Sequence, residues 1–469
     1  MRATGGGGWA RGCSNFGTGE TLETPNLYTV VAATALLQRR CVTHTSSAAY
    51  GAPLSSGSGS GLIKLKLRHR LKLRLRLRLS GSGTGYMDLT CLDIVDWDAG
   101  GLRRASFVAG LREACTHPNS GFFYLRVTSA IDASVTSAAI AAAERFFELP
   151  LEQKLAIDLH DSPHYRGFAA LGTETTAAVT DLREYIELGE EEAATPLGDE
   201  DLPAYMRMGI GPNQWPAELP QFEPVVMDYF GQCKGLAAKV MEAVSTALEL
   251  PPTQLAESYT RAPLGAHVRF KPACYRSRAY AATADVGTEE QSQGLGAHTD
   301  FGFLSLLLQN EVAGLEVQRA SDGAWLAAPP MDGTLVVNLG EMAELVSGGA
   351  LVASTHRVLP PPPGSPARVS IPVFFNPSLD SVVEPVGLSA SLQALADARK
   401  EPGAVQMDGT DDNQIVSVYG DNWVKGFSRS QPAWFARHLP DVYARQQELQ
   451  PTSVGKVHVV GKAQLGSKL

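Results

Sequence analysis

Cysteine is scarce: six residues in 469, Cys13, Cys41, Cys91, Cys115, Cys233 and Cys274, with no CxxC pair and no dense framework. That excludes a disulfide scaffold and suits free thiols in a reducing compartment. Long apolar runs are absent too. The best candidate, Tyr28 to Leu37, is short and mixed, whereas a membrane span needs roughly 18 apolar residues. Positive charge is missing from most of the chain. Residues 1–86 hold 12 lysines and arginines against Glu20 and Glu23, a charge of +10, which leaves −19 for residues 87–469 within a total of −9. An acidic body offers no basic face for a phosphate backbone, so a small molecule rather than nucleic acid is the expected partner. A cytoplasmic monomer follows as the expectation, with an organelle the alternative if residues 1–86 are a transit peptide.

Those first 86 residues are rich in Gly, Ser and Thr, and from Leu62 to Leu79 they alternate leucine with lysine or arginine. Period two allows a cationic amphipathic strand. A disordered extension, a targeting peptide or a wrongly assigned start ahead of Met87 explains the composition more simply. From Leu89 the texture changes. LTCLDIVDW predicts a short strand, LRRASFVAGLREAC an amphipathic helix, GFFYLRV a buried strand and AAIAAAERFFELP a helix stopped by Pro150. Helical spacing returns between Pro224 and Leu250. Beyond Gly265, short β runs separated by Gly, Pro, Asp and Asn predict a closed antiparallel sheet. The expected fold class is α+β. It comprises an amino-terminal α/β region over 87–200, a jelly-roll (double-stranded β-helix) domain with preceding helices over 201–445, and a polar tail over 446–469.

Chemistry concentrates in two stretches of that β region. His298 and Asp300 are two residues apart at a predicted strand end, where side chains at i and i+2 point to one face and can share a metal. His356, on another predicted strand, completes a set of two histidines and one carboxylate. Such a set leaves about three positions open on an octahedral iron(II), which oxygen activation requires. A single His-x-Asp is common by chance among ten histidines, and a single histidine is more often structural; the combination carries the argument. Arg368 and Ser370 repeat the i, i+2 spacing, so a guanidinium fork and a hydroxyl can grip one carboxylate.

With His298-Thr299-Asp300, His356-Arg357-Val358 and Arg368-Val369-Ser370 in this order, residues 89–440 resemble the isopenicillin N synthase-like branch of the iron(II)/2-oxoglutarate-dependent dioxygenases. Gly121-Phe122-Phe123-Tyr124, Arg166-Gly167-Phe168, Asp181 to Gly189 and Asn338-Leu339-Gly340-Glu341 support the likeness. The resemblance implies iron(II) on His298, Asp300 and His356, and 2-oxoglutarate as co-substrate with its far carboxylate on Arg368 and Ser370. It further implies O2 as oxidant, and oxidation of a small organic molecule with release of succinate and CO2. One departure stands out. Where the family has Asn-x-Tyr-Pro, whose tyrosine assists the co-substrate carboxylate, this chain has Arg269-Phe270-Lys271-Pro272, with Tyr275 and Tyr280 as possible substitutes. Phe303 and Phe374, with Phe301 and Phe375, are candidates for the substrate wall. The segment Val418 to Leu439 is read as helix and loop packed on the barrel rather than as a substrate-facing lid, and His160, His164 and His267 as structural. The alternatives are an iron oxidase of the same fold that uses no 2-oxoglutarate, a non-catalytic small-molecule-binding barrel and, more distantly, a zinc hydrolase.

Overall fold

The computed structural model describes residues 89–449 apart from 118–120, 177–178, 197, 262, 284–291 and 400–417. The extension over 1–86 therefore lies outside the described residues. The first strand, β1 (Cys91–Asp93), is shorter than LTCLDIVDW suggests, because the Asp93 carboxylate accepts the Val95 N–H at 3.1 Å and caps a helix beginning at Ile94. The strands β2 (Phe122–Arg126), β3 (Gly167–Ala169), β4 (Thr175–Thr176), β5 (Val179–Asp181) and β6 (Arg183–Gly189) complete the amino-terminal region. Then come β7 (His267–Phe270), β8 (Ala273–Tyr275), β9 (Ser292–Gln293), β10 (Leu295–His298), β11 (Leu304–Gln309) and β12 (Leu315–Gln318). The last are β13 (Trp325–Ala327), β14 (Thr334–Leu339), β15 (His356–Val358) and β16 (Arg368–Asn376).

A nine-stranded sheet runs β1-β2-β14-β11-β16-β7-β6-β3, with β8 bonded to both β16 and β6. A second sheet runs β10-β15-β12-β13. Both contribute side chains to one interior cavity, the jelly-roll arrangement expected. Two helices close the outer side of the large sheet. Ala133–Glu148 starts where Asp132 accepts the Ser134 N–H at 2.8 Å, and buries Ala139, Ala142, Ala143 and Phe146 at three- and four-residue spacing. Phe222–Ala247 packs on that helix and on β16 and β11, burying Phe222, Val226, Phe230, Leu236, Val240 and Val244. Burial of these apolar faces, at about 25 cal/mol per Å2, is what keeps the sheet rigid beneath the cavity.

At the carboxyl end, the helix Pro440–Leu449 carries regular structure past residue 446, where the polar tail was expected to begin. Cys91, Cys115, Cys233 and Cys274 are free thiols. No helix among the described residues is long and apolar enough to cross a membrane.

Candidate active site

Strand pairing sets the geometry of the site. His298, the last residue of β10, is the cross-strand partner of His356 on β15, and their rings lie 4.3 Å apart between centroids. Asp300 is two residues beyond the strand end, so it does not share a strand face with His298 as its spacing suggested. A turn brings it in instead: its carbonyl accepts the Glu341 N–H at 2.8 Å, and Gly340 lies so close to the Asp300 and Gly302 carbonyls that a Cβ there would collide with them. The Asp300 Oδ1 ends 3.8 Å from the Nε2 of each histidine, and the three donor atoms lie within 4.8 Å of one another.

Hydrogen bonds decide which atoms are available. The Nδ1 of His298 lies 2.8 Å from the Gly296 carbonyl and that of His356 lies 3.1 Å from the Ser354 carbonyl. A carbonyl only accepts, so both Nδ1 atoms carry the proton and both Nε2 lone pairs are exposed toward the shared centre. Asp300 Oδ2 accepts from Ser305 Oγ at 2.5 Å and Asn338 Nδ2 at 2.7 Å, which leaves Oδ1 for a cation. Burial and the neighbouring His356 push His298 down to about 3, so its imidazole is neutral; burial would raise Asp300, but the facing imidazoles and the hydrogen bonds from Asn338 and Ser305 outweigh it and hold its pKa below the usual value. Two imidazoles and one carboxylate with converging donor atoms suit a divalent first-row metal. Among the described residues no other group of His, Cys, Asp or Glu converges in this way.

Arg368 is fully buried on the same cavity wall. Its Nη1 donates to Ser370 Oγ at 3.1 Å and its Nη2 to Gln309 Oε1 at 2.7 Å, and its Nε has no partner among the described residues. No described carboxylate neutralises it. A buried guanidinium in this state is costly unless an anion from outside completes it. Tyr275, the cross-strand partner of Arg368, places its ring 4.9 Å from the guanidinium and lines the cavity, whereas Tyr280 is half exposed.

The cavity has a volume of about 490 Å3. Phe374 and Phe301 line it; Phe303, the other expected wall residue, does not. Its ring is fully buried and faces Tyr259 of a neighbouring helix at 6.4 Å, on the core side. Phe375 is likewise buried away from the cavity because adjacent strand residues face opposite sides. The carboxyl-terminal helix Tyr419–Ser430 corrects a second expectation. Tyr419, Trp423, Gly426 and Phe427, at helical spacing, face the cavity, so this helix forms part of its wall. Four further residues were missed: Arg183, Glu187, Arg269 and Lys271. The signal lay in the period-two alternation of Arg183, Tyr185 and Glu187 along β6. Charge on the opposite face obscured it, since Glu184 there pairs with Lys154 and Arg276. His160, His164 and His267 stand apart from the site, beside Asp158, the Arg207 carbonyl and the Trp423 ring respectively.

Residues 272–377 match the 2OG-Fe(II) oxygenase superfamily and residues 91–218 match the non-haem dioxygenase in morphine synthesis N-terminal family. The chain is 35% identical over 290 residues to the 2-oxoglutarate-dependent dioxygenase frbJ of Dothideomycetidae sp. (strain 11243), covering 61% of this chain and 75% of that protein. It is 33% identical over 283 residues to homoarginine-6-hydroxylase 2-ODD-C23 of Glycine max, covering 60% of this chain and 80% of the relative. In fold it is similar to the crystal structure of a 2OG-Fe(II) oxygenase family protein from Caulobacter crescentus, with a TM-score of 0.54 and 24% identity over 73% of this chain and 99% of that one.

Proposed function

This chain belongs to the 2OG-Fe(II) oxygenase superfamily as a 2-oxoglutarate-dependent dioxygenase acting on a small molecule, and on that basis we propose that His298, Asp300 and His356 hold the iron while Arg368 and Ser370 hold the far carboxylate of 2-oxoglutarate. The observation that carries this assignment is the disposition of lone pairs: Nε2, Nε2 and Oδ1 converge, and each ligand's remaining polar atom is already occupied. The buried Arg368 guanidinium, with no described carboxylate beside it and its Nε unpartnered, fits a carboxylate in the same cavity. Bound iron(II) with 2-oxoglutarate supplies oxygen activation. The chain's own residues do the rest. Ser305 and Asn338 hold Asp300 in its ligand orientation, Arg368 and Ser370 orient the co-substrate, and Tyr275 covers the guanidinium. Phe301, Phe374 and the Tyr419–Ser430 helix exclude water and position the substrate beside the metal site.

Outside the site, an acidic body supports a protein with no nucleic-acid partner, and we keep a cytoplasmic monomer as its setting. His298→Ala is expected to abolish succinate release, and Arg368→Ala to raise the 2-oxoglutarate concentration needed for half-maximal succinate release by on the order of a hundredfold, the cost of one lost charge-assisted bidentate contact. Normal turnover by His298→Ala refutes the site. Substrate oxidised without an equivalent of succinate by the unaltered chain refutes the co-substrate.

A further inference from the structure

We propose that this cavity selects a substrate bearing one negative charge, a small carboxylate or its equivalent, held by Arg269 and Lys271 with its carbon skeleton against Phe374, Trp423 and Phe427. The proposal rests on the reading above and adds the class of molecule to it.

Charge counting leads there. The charged side chains lining the cavity are Arg183, Arg269, Lys271 and Arg368 against Glu187 and Asp300. Arg183 is matched by Glu174 just behind it, with Nη2 2.5 Å from Oε2. Arg368 and Asp300, taken with a ferrous ion and dianionic 2-oxoglutarate, sum to zero. What remains is Glu187 between two cations, with Oε1 2.7 Å from Arg269 Nη2 and Oε2 3.1 Å from Lys271 Nζ. One positive charge is left over in a buried setting.

Directionality points the same way. Arg269 is only 5% exposed, yet its Nε and Nη2 have no hydrogen-bond partner among the described residues, and neither does Glu187 Oε2. The ion pairs are close but poorly aimed, so donor capacity on this buried guanidinium is left unspent. Position separates this cluster from the co-substrate anchor. On β16, Arg368 and Ser370 stand opposite Tyr275 and Ala273, whereas Phe374, further along the same face, stands opposite Arg269. Two anion-binding points are thus spaced along one floor. Around the second, Trp423 and Phe427 lie 5.1 Å and 5.0 Å from the Arg269 guanidinium carbon. A carboxylate drawn to that guanidinium places its apolar body among these rings.

The test uses the full chain, anaerobic with iron(II) and 2-oxoglutarate, titrated with matched acid and amide probes: phenylacetate and phenylacetamide, hexanoate and hexanamide, benzoate and benzamide. The acid is expected to bind at least about tenfold tighter than its amide in one or more pairs. Lys271→Met is expected to erase that preference while 2-oxoglutarate affinity stays unchanged. In the ligand-free protein the same substitution is expected to change Tm little, because Glu187 keeps Arg269 and removal of the surplus charge offsets the lost attraction between Lys271 and Glu174. Absence of an acid preference in every pair overturns the proposal. So does a Lys271→Met variant that loses 2-oxoglutarate affinity, which would assign the charge to the co-substrate, or one that melts several degrees lower, which would make Lys271 a structural partner of Glu187. Failure of 2-oxoglutarate to bind the unaltered protein overturns the assignment of the site as well.

Discussion

Asp300 is the proposed ligand that side chains hold in place: Ser305 and Asn338 both donate to its Oδ2. Removing one of them frees the carboxylate to rotate without removing a ligand. Asn338→Ala is therefore expected to weaken iron binding by about 10–100-fold, measured by metal titration under anaerobic conditions, with turnover partly restored at saturating iron. Unchanged metal affinity would show that the strand and turn alone fix the carboxylate. The proposed ligand residues stood out in the sequence because of two-residue spacings; Arg368 and Ser370 do share a strand face, whereas Asp300 is brought beside His298 by the turn beyond β10. Phe303 was misread for a related reason: proximity in sequence to Asp300 says nothing about which side of the turn a ring takes, and its ring turns toward Tyr259.

Among the elements, the Tyr419–Ser430 helix was recognised as a helix but not as part of the cavity wall. Its neighbours come from β7 and from the segment before β11: Trp423 packs edge-on to His267 at 4.7 Å, and Tyr419 stacks on Phe301 at 5.8 Å. Such long-range pairings have no local signature, so helical periodicity announces an apolar face without saying what it covers. The strands were easier, because closely spaced turn residues bound them and their alternation fixes two faces. Trp423→Ala is expected to raise KM for the substrate on the order of tenfold, the value of one aromatic contact of about 1.5 kcal/mol, with the 2-oxoglutarate requirement unchanged. An equal rise for both ligands would mean that the helix supports the whole cavity rather than its substrate end.

For the molecule as a whole, the half-buried carboxylate of Glu174 joins distant parts of the chain. Arg183 and Tyr185 of β6 donate to it, and Gln431, just after the Tyr419–Ser430 helix, reaches it at 3.4 Å. Burial alone would raise its pKa, but Arg183, Lys271 and these hydrogen bonds outweigh burial and bring it from 4.5 down to about 2. A depressed carboxyl pKa stabilises the fold above the unfolded-state value, and that contribution is lost as pH falls through the interval toward the folded-state value. Unfolding free energy is accordingly expected to drop between about pH 4.5 and 2, with a shallower slope in Glu174→Gln, measured by denaturant titration at each pH. Identical slopes would assign acid sensitivity to other groups. The two histidines proposed to hold the iron show a contrasting economy of design. Each has its ring oriented by the peptide oxygen two residues earlier, that of Gly296 within β10 and that of Ser354 just before β15, and no mutation can delete a peptide oxygen. Sequence drift around this centre can therefore loosen the acidic ligand by erasing its helpers, while the imidazoles keep their aim for as long as the strands themselves survive.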